Sequence, residues 1–309
     1  MLFAAMVVAS VCLVGCKEGI LGGGGGEEEE LHGGFNSMGA SYTVYSVAPG
    51  KRVHFSKGNL QHHPAFGAWR FAENQYDAVL DSNAFADEDY KSWIDLFGWG
   101  TSGWDGGAFA YQPWSTNNQD TSYCPGGDWT NGLFGPGENA DWGMYNSIFG
   151  GGNQPKMWRT LKRDEWLYLI DTNEVRKDKF GFGVIGDKHF GLIILPDDWK
   201  KPAGLSFTAS NGTDTCSELN HYSYNEWMKM DSVGAIFLPV SSMRNGKDVD
   251  AWDIDGHRFG YYWTASYEFT NTAYAFVFNN QGVMDNSTVK TDPRGRHYGM
   301  AVRLVRDEK

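Results

Sequence analysis

Residues 223–239 read SYNEWMKMDSVGAIFLP, and this stretch joins the clearest helix signal in the chain to a buried strand. Ser223 and the glutamate three residues later form a capping box, in which each side chain accepts a hydrogen bond from the other residue's backbone N–H. Trp227 and Met230 then fall on one face of the helix. The apolar run 235–239 follows, ends at a proline and predicts a strand.

A second unit of the same kind lies upstream, where residues 158–170 read WRTLKRDEWLYLI. Thr160 is placed to cap a helix, and the two acidic residues after it stabilise the positive end of the helix dipole. Trp166 and Leu169 lie on one face of that helix. The run 191–196, which also ends at a proline, predicts the strand that follows.

The remaining strand signals lie towards the two ends of the chain. Residues 42–61 alternate apolar and polar side chains around a Pro-Gly pair, which predicts a β-hairpin. The tail predicts three further strands, near residues 261–266, 273–278 and 300–305. Two helices packed on a small, mostly antiparallel sheet make an α+β fold.

The middle of the chain, residues 66–155, carries seven tryptophans among glycine, asparagine and aspartate. A segment that long without its own structure is uncommon in a compact domain. We therefore expect its aromatic side chains to hold it as long packed loops and short strands. Residues 93–97 are the best candidate for a helical turn within it.

The composition limits the class of protein. Of the 309 residues, 41% are hydrophobic, which is enough to bury a core and excludes disorder throughout. The 38 acidic and 26 basic residues give a formal charge of -12. Nucleic acid is not an expected partner, because binding its phosphates requires clustered Lys and Arg.

The N-terminus resembles an export signal. Its 13-residue apolar run, Leu2–Val14, is too short to cross a membrane as a stable helix. Residues 1–16 end in Leu-Val-Gly-Cys, which resembles the bacterial lipobox, so Cys16 is predicted to carry a lipid. An ordinary cleaved signal with an incidental cysteine is the alternative. Residues 17–40, rich in Gly and Glu, predict a flexible tether before a single domain, 41–309.

Two more cysteines, Cys124 and Cys216, lie in the predicted domain. An exported compartment allows them to form a disulfide, whereas two buried free thiols are equally compatible with the surrounding sequence. Their separation along the chain does not decide between the two.

Four phrases together resemble a known group of proteins. They resemble the Fibrobacter-type major paralogous domain and related Bacteroidetes lipoproteins, over residues 42–306. The resemblance implies a C-type-lectin-like fold, in the version shared with formylglycine-generating enzymes. The phrases are WRTLKRDEW (158–166), EWMKMDSVGAIFLP (226–239), YWTAS (262–266) and GMAVRLVRD (299–307).

This fold implies a variable ligand surface on the C-terminal strands and loops, which a retroelement diversifies in some relatives. The corresponding stretch here is 266–298, where Tyr, Asn and Asp supply contact area and hydrogen bonds as in antibody paratopes. Turns favour the same residue types without any ligand. The candidate ligand-binding residues are Tyr267, Thr270, Asn271, Asn280, Asp285, Asn286, Arg294, His297 and Tyr298.

Catalysis and cofactors are not expected. Formylglycine-generating enzymes require a cysteine pair, and neither cysteine of the predicted domain matches their catalytic strand. Neighbouring His62 and His63 point to opposite faces of an extended segment, which disfavours a shared metal, and we expect them at the surface or in a turn. Four aspartates are weak candidates for calcium, but their spacing departs from the EF-hand and favours a solvated acidic loop. They are Asp248, Asp250, Asp253 and Asp255.

Together these features predict a lipid-anchored, ligand-binding protein of the cell envelope, displayed at the outer-membrane surface. Its expected partners are the membrane, through the lipid, and a protein or glycan ligand. A structural or adhesive subunit, such as a fimbrial tip, is one alternative. A lipoprotein that captures glycans for nutrient uptake is another.

The lipid anchor is directly testable. If Cys16 is lipidated, the mature chain begins at this residue and partitions into detergent, and Cys16→Ala releases the protein or stalls its processing. Mass spectrometry of the mature N-terminus checks this. A mature chain that starts elsewhere and carries no lipid contradicts the prediction.

Overall fold

Capping contacts place the two longer helices. In the first predicted unit, Ser223 and Glu226 exchange hydrogen bonds between side chain and backbone, at 3.3 and 2.8 Å, which confirms the capping box. In the second unit the cap is Lys162, whose N–H donates to the Glu165 carboxylate at 2.8 Å. The prediction for Thr160 is wrong, because its backbone pairs in a strand instead of capping a helix.

The computed structural model describes residues 34–106, 108–119, 123–171, 173–210, 219–250, 259–279 and 289–309. These residues belong to one compact unit, Leu31–Lys309. The fold is mixed α+β, mostly strands in small antiparallel sheets, as the sequence predicts. The helices are α1 (Trp142–Tyr145), α2 (Arg163–Leu169) and α3 (Tyr224–Ser232).

Two four-stranded sheets form much of the frame. The first has the order β1-β2-β15-β5, and every neighbouring pair is antiparallel. The second has the order β8-β6-β7-β9, in which only the pair β6-β8 is parallel. Their strands are β1 (Tyr45–Ala48), β2 (Lys51–Phe55), β5 (Arg159–Thr160), β15 (Leu304–Asp307), β6 (Phe180–Ile185), β7 (His189–Ile194), β8 (Asn220–Tyr222) and β9 (Ile236–Pro239).

A third sheet consists of three antiparallel strands in the order β12-β13-β14. Two further antiparallel hairpins are β3-β4 and β10-β11. The predicted tail strands near 261–266 and 273–278 are part of β12 and β13. The strands are β3 (Leu60–His63), β4 (Ala68–Phe71), β10 (Met243–Asn245), β11 (Asp248–Asp250), β12 (Phe259–Phe269), β13 (Thr272–Asn279) and β14 (Val289–Gly295).

Alternate residues of β12 and β13 enter two different hydrophobic cores, because successive side chains of a strand point to opposite faces. Trp263 and Ala275 enter a Trp-rich core with the middle of the chain. Tyr262 and Phe276 enter a second core, where Phe276 stacks on Trp166 of α2 at 4.4 Å between ring centroids. The sheet is therefore fixed from both sides.

The Trp-rich middle is held by buried aromatic side chains, as predicted. The indole N–H groups of Trp99 and Trp142 donate to backbone carbonyls at 2.8 and 3.0 Å. The helical turn predicted at 93–97 is wrong, because Ile94 and Phe97 form backbone bridges to distant residues. Pairing across the fold thus overrides the local preference.

His62 and His63 are buried in β3, with 3% and 7% of their surface exposed, so the expectation of surface histidines is wrong. The rings pack against aromatic neighbours, His62 on Trp69 at 4.3 Å between centroids. Burial, with a smaller contribution from the adjacent His63, lowers the pKa of His62 to about 3. His62 is therefore neutral at physiological pH.

A buried arginine connects several elements. Arg303 is fully buried, and its Nη2 donates to Oε1 of Gln75 at 2.9 Å, while Nη1 lies 3.5 Å from Oδ1 of Asn59. Gln75 Nε2 in turn donates to the Asp231 carboxylate of α3 at 2.7 Å. Amide carbonyls thus supply the oxygen partners that a cation flanked by apolar strand neighbours requires.

The same glutamine covers the edge of β9. Its Oε1 accepts from the Phe237 N–H at 2.8 Å, and its Nε2 donates to the Ala235 carbonyl at 2.9 Å. At the end of β9, the Pro239 carbonyl accepts a hydrogen bond from the Tyr262 hydroxyl at 2.8 Å. Side chains therefore satisfy backbone groups that the missing neighbour strand would otherwise pair.

Arg303→Met tests the buried network. Removing the guanidinium leaves buried amide oxygens of Gln75 and Asn59 without this donor, so we expect a loss of about 3 kcal/mol in the free energy of unfolding. Urea denaturation measures this. The matched control is Arg52→Met, whose exposed ion pair with Glu308 contributes less than about 1 kcal/mol. Equal midpoints for the two variants would contradict the structural role of Arg303.

Asp231 gives a pH-dependent test. Burial raises the pKa of its carboxyl to about 6, while Gln75 and Arg303 oppose that shift. The folded chain therefore holds this proton more tightly than the unfolded chain, and the stability from this group falls as pH rises from about 4 to about 6.

Asp231→Asn cannot titrate at this position, so its stability relative to the wild type should rise by on the order of 2 kcal/mol between pH 4 and pH 7. Denaturation of both proteins across that range measures the difference. A difference that stays constant with pH contradicts the prediction.

Candidate functional site

The structure describes six of the nine predicted ligand-binding residues. They lie along the C-terminal sheet and the turn and loop at its end: Tyr267 in β12, Thr270 and Asn271 in the β12–β13 turn, Arg294 in β14, and His297 and Tyr298 just after it. Asn280, Asp285 and Asn286 lie outside the described residues.

Exposure differs among these six residues. Thr270 is exposed, whereas Tyr267 and Tyr298 are half-buried and pack against the Trp-rich core. The rings of His297 and Tyr298 lie 4.2 Å apart. The two tyrosines therefore contribute to the frame of the site as well as to its surface.

Arg296, which the sequence analysis does not single out, fixes this region. Its side chain donates to four backbone carbonyls at 2.7 to 3.3 Å and lies over the Trp99 ring at 4.5 Å. Two of those carbonyls, of Phe269 and Thr272, belong to the β12–β13 turn, and the others belong to the Trp-rich middle. In the sequence nothing distinguishes this arginine from Arg294 two residues earlier. The carbonyl acceptors are Tyr123, Trp129, Phe269 and Thr272.

Strand β14 carries a row of charged residues on one face. The register pairs Lys290, Asp292 and Arg294 with the small residues Val277, Ala275 and Ala273 of β13. Arg294 Nη1 lies 2.6 Å from Oδ2 of Asp292, and Lys290 Nζ lies 4.0 Å from the same oxygen. Since Asp292 neutralises part of the positive charge, the row is only weakly basic.

Arg294 also connects the row to the start of β12. Its guanidinium lies 5.9 Å from the ring centroid of Tyr261. Burial raises the pKa of the Tyr261 hydroxyl, and Arg294 opposes the shift. The phenol is therefore neutral at physiological pH.

Tyr261 also lines a cavity of about 810 Å³. Separate segments converge there: β3–β4, residues 73–81, the β6–β7 turn, the end of β9 and the start of β12. Exposed Asp81 and Lys188 lie at its rim, and Gln61 and Tyr261, both more than nine-tenths buried, lie deeper. A cavity of this size is in the range that holds small organic ligands.

The backbone is strained at this cavity. Leu80 and Ser242, which both line it, have φ angles of +54° and +60°, and Asp187 beside the lining residue Lys188 has +54°. Side chains other than glycine rarely adopt this conformation, and such residues cluster at binding and active sites. The strain is a second, independent feature of the cavity.

Aromatic and cationic side chains form the cavity's outer wall. The Tyr76 ring contacts the rings of His189 and Tyr224, with centroids 4.8 and 5.4 Å away. Arg70, deeper in, lies over the Trp93 ring at 3.9 Å and donates to Gln61 at 2.9 Å. Burial and the neighbouring Lys188 lower the pKa of His189, so this wall carries a neutral imidazole at pH 7.

The aspartates and cysteines that the sequence offers for metal or thiol chemistry lie partly within the described ranges. In the ranges that the structure describes, no group of three or more His, Cys, Asp or Glu side chains could hold a metal ion. Asp248 is exposed in β11, whereas the Asp250 side chain, Asp253 and Asp255 lie outside those ranges. Cys124 is a half-buried free thiol, and Cys216 lies outside them too.

Comparisons with protein-family models, with curated proteins and with solved structures each found no match to this chain. Over the described residues, no helix is both long and apolar enough to cross a membrane. Residues 1–33, with the predicted signal and Cys16, lie outside the described part.

The two kinds of predicted site residue should respond differently to substitution. Tyr298→Ala removes a ring that packs against the core, so we expect a loss of about 2 kcal/mol in the free energy of unfolding. Thr270→Ala, at an exposed turn, should change it by less than about 0.5 kcal/mol. Urea denaturation compares them, and equal stability of both variants would place the Tyr298 ring at the surface.

Proposed function

We propose that the chain is a ligand-binding protein of the cell envelope, which recognises its ligand with the C-terminal sheet and the cavity beside it. The observation that carries the proposal is the cavity of about 810 Å³, joined through Tyr261 and Arg294 to the strand that the sequence analysis singles out. A concave site with aromatic walls and a few convergent polar groups is the usual form of a binding site.

The role that we propose is binding without catalysis. The charged groups at the site contact one another or neutral amides: Arg294 lies against Asp292, and Arg70 donates to Gln61. Such contacts hold side chains in one orientation, which lowers the entropy lost when a ligand binds. They favour a preformed recognition surface.

The finer fold assignment belongs to the same proposal. We propose a C-type-lectin-like fold with a variable C-terminal surface, which a retroelement diversifies as it does in some members of the family that the chain resembles. Two cores packed on either side of β12 and β13 support it, since a rigid frame tolerates changes in the loops it carries. The N-terminal segment 1–16, whose last four residues resemble a lipobox, supports a lipid anchor in the outer membrane.

The test is binding by the full chain to arrays of immobilised glycans and proteins. We expect at least one immobilised ligand to retain the wild type, and Arg294→Ala to weaken this binding at least tenfold, because arginine is among the residues most often found at binding hot spots. Arg52→Ala, an exposed arginine of β2, is the matched control and should bind as the wild type does.

Other outcomes would overturn the proposal. Chemical conversion of the retained ligand would make the protein an enzyme. Self-assembly into filaments without any retained ligand would favour the structural or adhesive subunit. Equal binding by Arg294→Ala and Arg52→Ala would move the recognition surface away from β14.

A further inference from the structure

We infer that the cavity bounded by Gln61, Tyr76, Lys188 and Tyr261 binds an uncharged saccharide. The inference rests on the proposed binding function and names the ligand class of that site. Its basis is the set of donors, acceptors and aromatic faces that line the cavity.

Gln61 supplies a hydrogen-bond donor deep in the cavity. The residue is only 4% exposed, and its Oε1 accepts from Arg70 Nε at 2.9 Å. Within the described part of the chain, its amide nitrogen has no acceptor, although the side chain lines the cavity. This N–H₂ group is available in the cavity to donate a hydrogen bond to a ligand or to water.

The charges around the cavity nearly cancel. The lining includes the cations Arg70 and Lys188 and the carboxylates of Glu73, Asp77 and Asp81, and Arg70 Nη1 lies 3.7 Å from the Glu73 carboxylate. A strongly charged ligand would therefore meet like charge on one side of the site. An uncharged ligand that both donates and accepts hydrogen bonds can use the cations and the carboxylates together.

Hydroxyl groups have this property. Each hydroxyl donates one hydrogen bond and accepts up to two, so a ring bearing several of them can accept from Gln61, Arg70 and Lys188 and donate to Asp77 and Asp81. Hydrogen bonds to such charged partners are stronger than those between neutral groups. A polyhydroxylated ring therefore matches the polar lining.

Aromatic faces complete the match. Phe259 and Tyr261 lie nearly parallel, with 5.8 Å between centroids and 24° between planes, and Tyr76 lines the same cavity near His189. A sugar ring has polar edges and a face of C–H groups, which packs on such rings. The cavity thus offers both kinds of surface that a saccharide presents.

The site is preformed. Gln61 lies in β3 and Tyr261 in β12, both held in sheets, while the strained residues Leu80 and Ser242 fix the loops at the rim. Side chains on regular elements hold their geometry better than side chains on free loops. Binding therefore requires little rearrangement.

Isothermal titration calorimetry of the full chain tests the inference. The probes are neutral tetrasaccharides derived from glucans, xylan, mannan and chitin, with spermidine as the cationic probe and citrate as the anionic one. We expect at least one tetrasaccharide to bind, and neither charged probe to bind as tightly.

Two variants locate the binding. Gln61→Glu keeps the oxygen that Arg70 needs but replaces the amide donor, and Tyr76→Ala removes the aromatic wall. Each should weaken tetrasaccharide binding at least tenfold. The matched control is Tyr42→Ala, at a tyrosine 61% exposed and outside the cavity, which should bind as the wild type does. Circular dichroism verifies that each variant is folded.

The outcomes distinguish a failure of the saccharide inference from a failure of the proposed binding function. Binding of spermidine or citrate alone, lost in Tyr76→Ala, overturns the saccharide class but leaves a binding protein. Tetrasaccharide binding unchanged in both folded variants overturns the cavity as its location. Absence of tetrasaccharide binding also overturns the inference, while retention of another ligand on the arrays, sensitive to Arg294→Ala, would leave the proposed function standing.

Discussion

The internal arrangement of this protein depends on satisfying one buried guanidinium. Arg303 lies in a fully apolar stretch of chain, yet its charge must be solvated by oxygen atoms. Gln75 and Asn59 provide them, and Gln75 also contacts the edge of β9 and the Asp231 carboxylate. Because these contacts are mutually dependent, the loop before the cavity, the second sheet and α3 must adopt their positions together.

That constraint reaches the candidate site. Gln75 directly precedes Tyr76, the aromatic wall of the cavity, so the buried network holds the backbone that presents this ring. On the opposite side, Tyr261 is set by a sheet packed between two cores. The exposed rim, with Asp81 and Lys188, lies on turns between these fixed points. Residues that stabilise the fold and residues that line the cavity thus lie next to one another in the same segments.

Features encoded by neighbouring residues could be predicted from the sequence. The capping box at Ser223 and the strands predicted near 261–266 and 273–278 depend on local chemistry and appear as expected. Thr160 and Ile94 could not be predicted, because their backbones pair with residues far away in the chain. The cavity could not be predicted either, because the segments that line it come together only in the folded chain. Arg294 lies in the predicted ligand-binding stretch 266–298, but its proximity to Tyr261 could not be predicted.

Strand β15 lies inside its sheet, between β2 and β5, although it follows both by a long stretch of chain. Val305 pairs with Phe55 on one side and Arg159 on the other. During synthesis, β2 therefore cannot pair with β15 until residues 304–307 have left the ribosome. Contacts between residues this distant in sequence slow folding, and they prolong the time for which folding intermediates expose hydrophobic surface. A folding intermediate that lacks β15 therefore leaves one edge of β2 unpaired, and an unpaired strand edge favours aggregation.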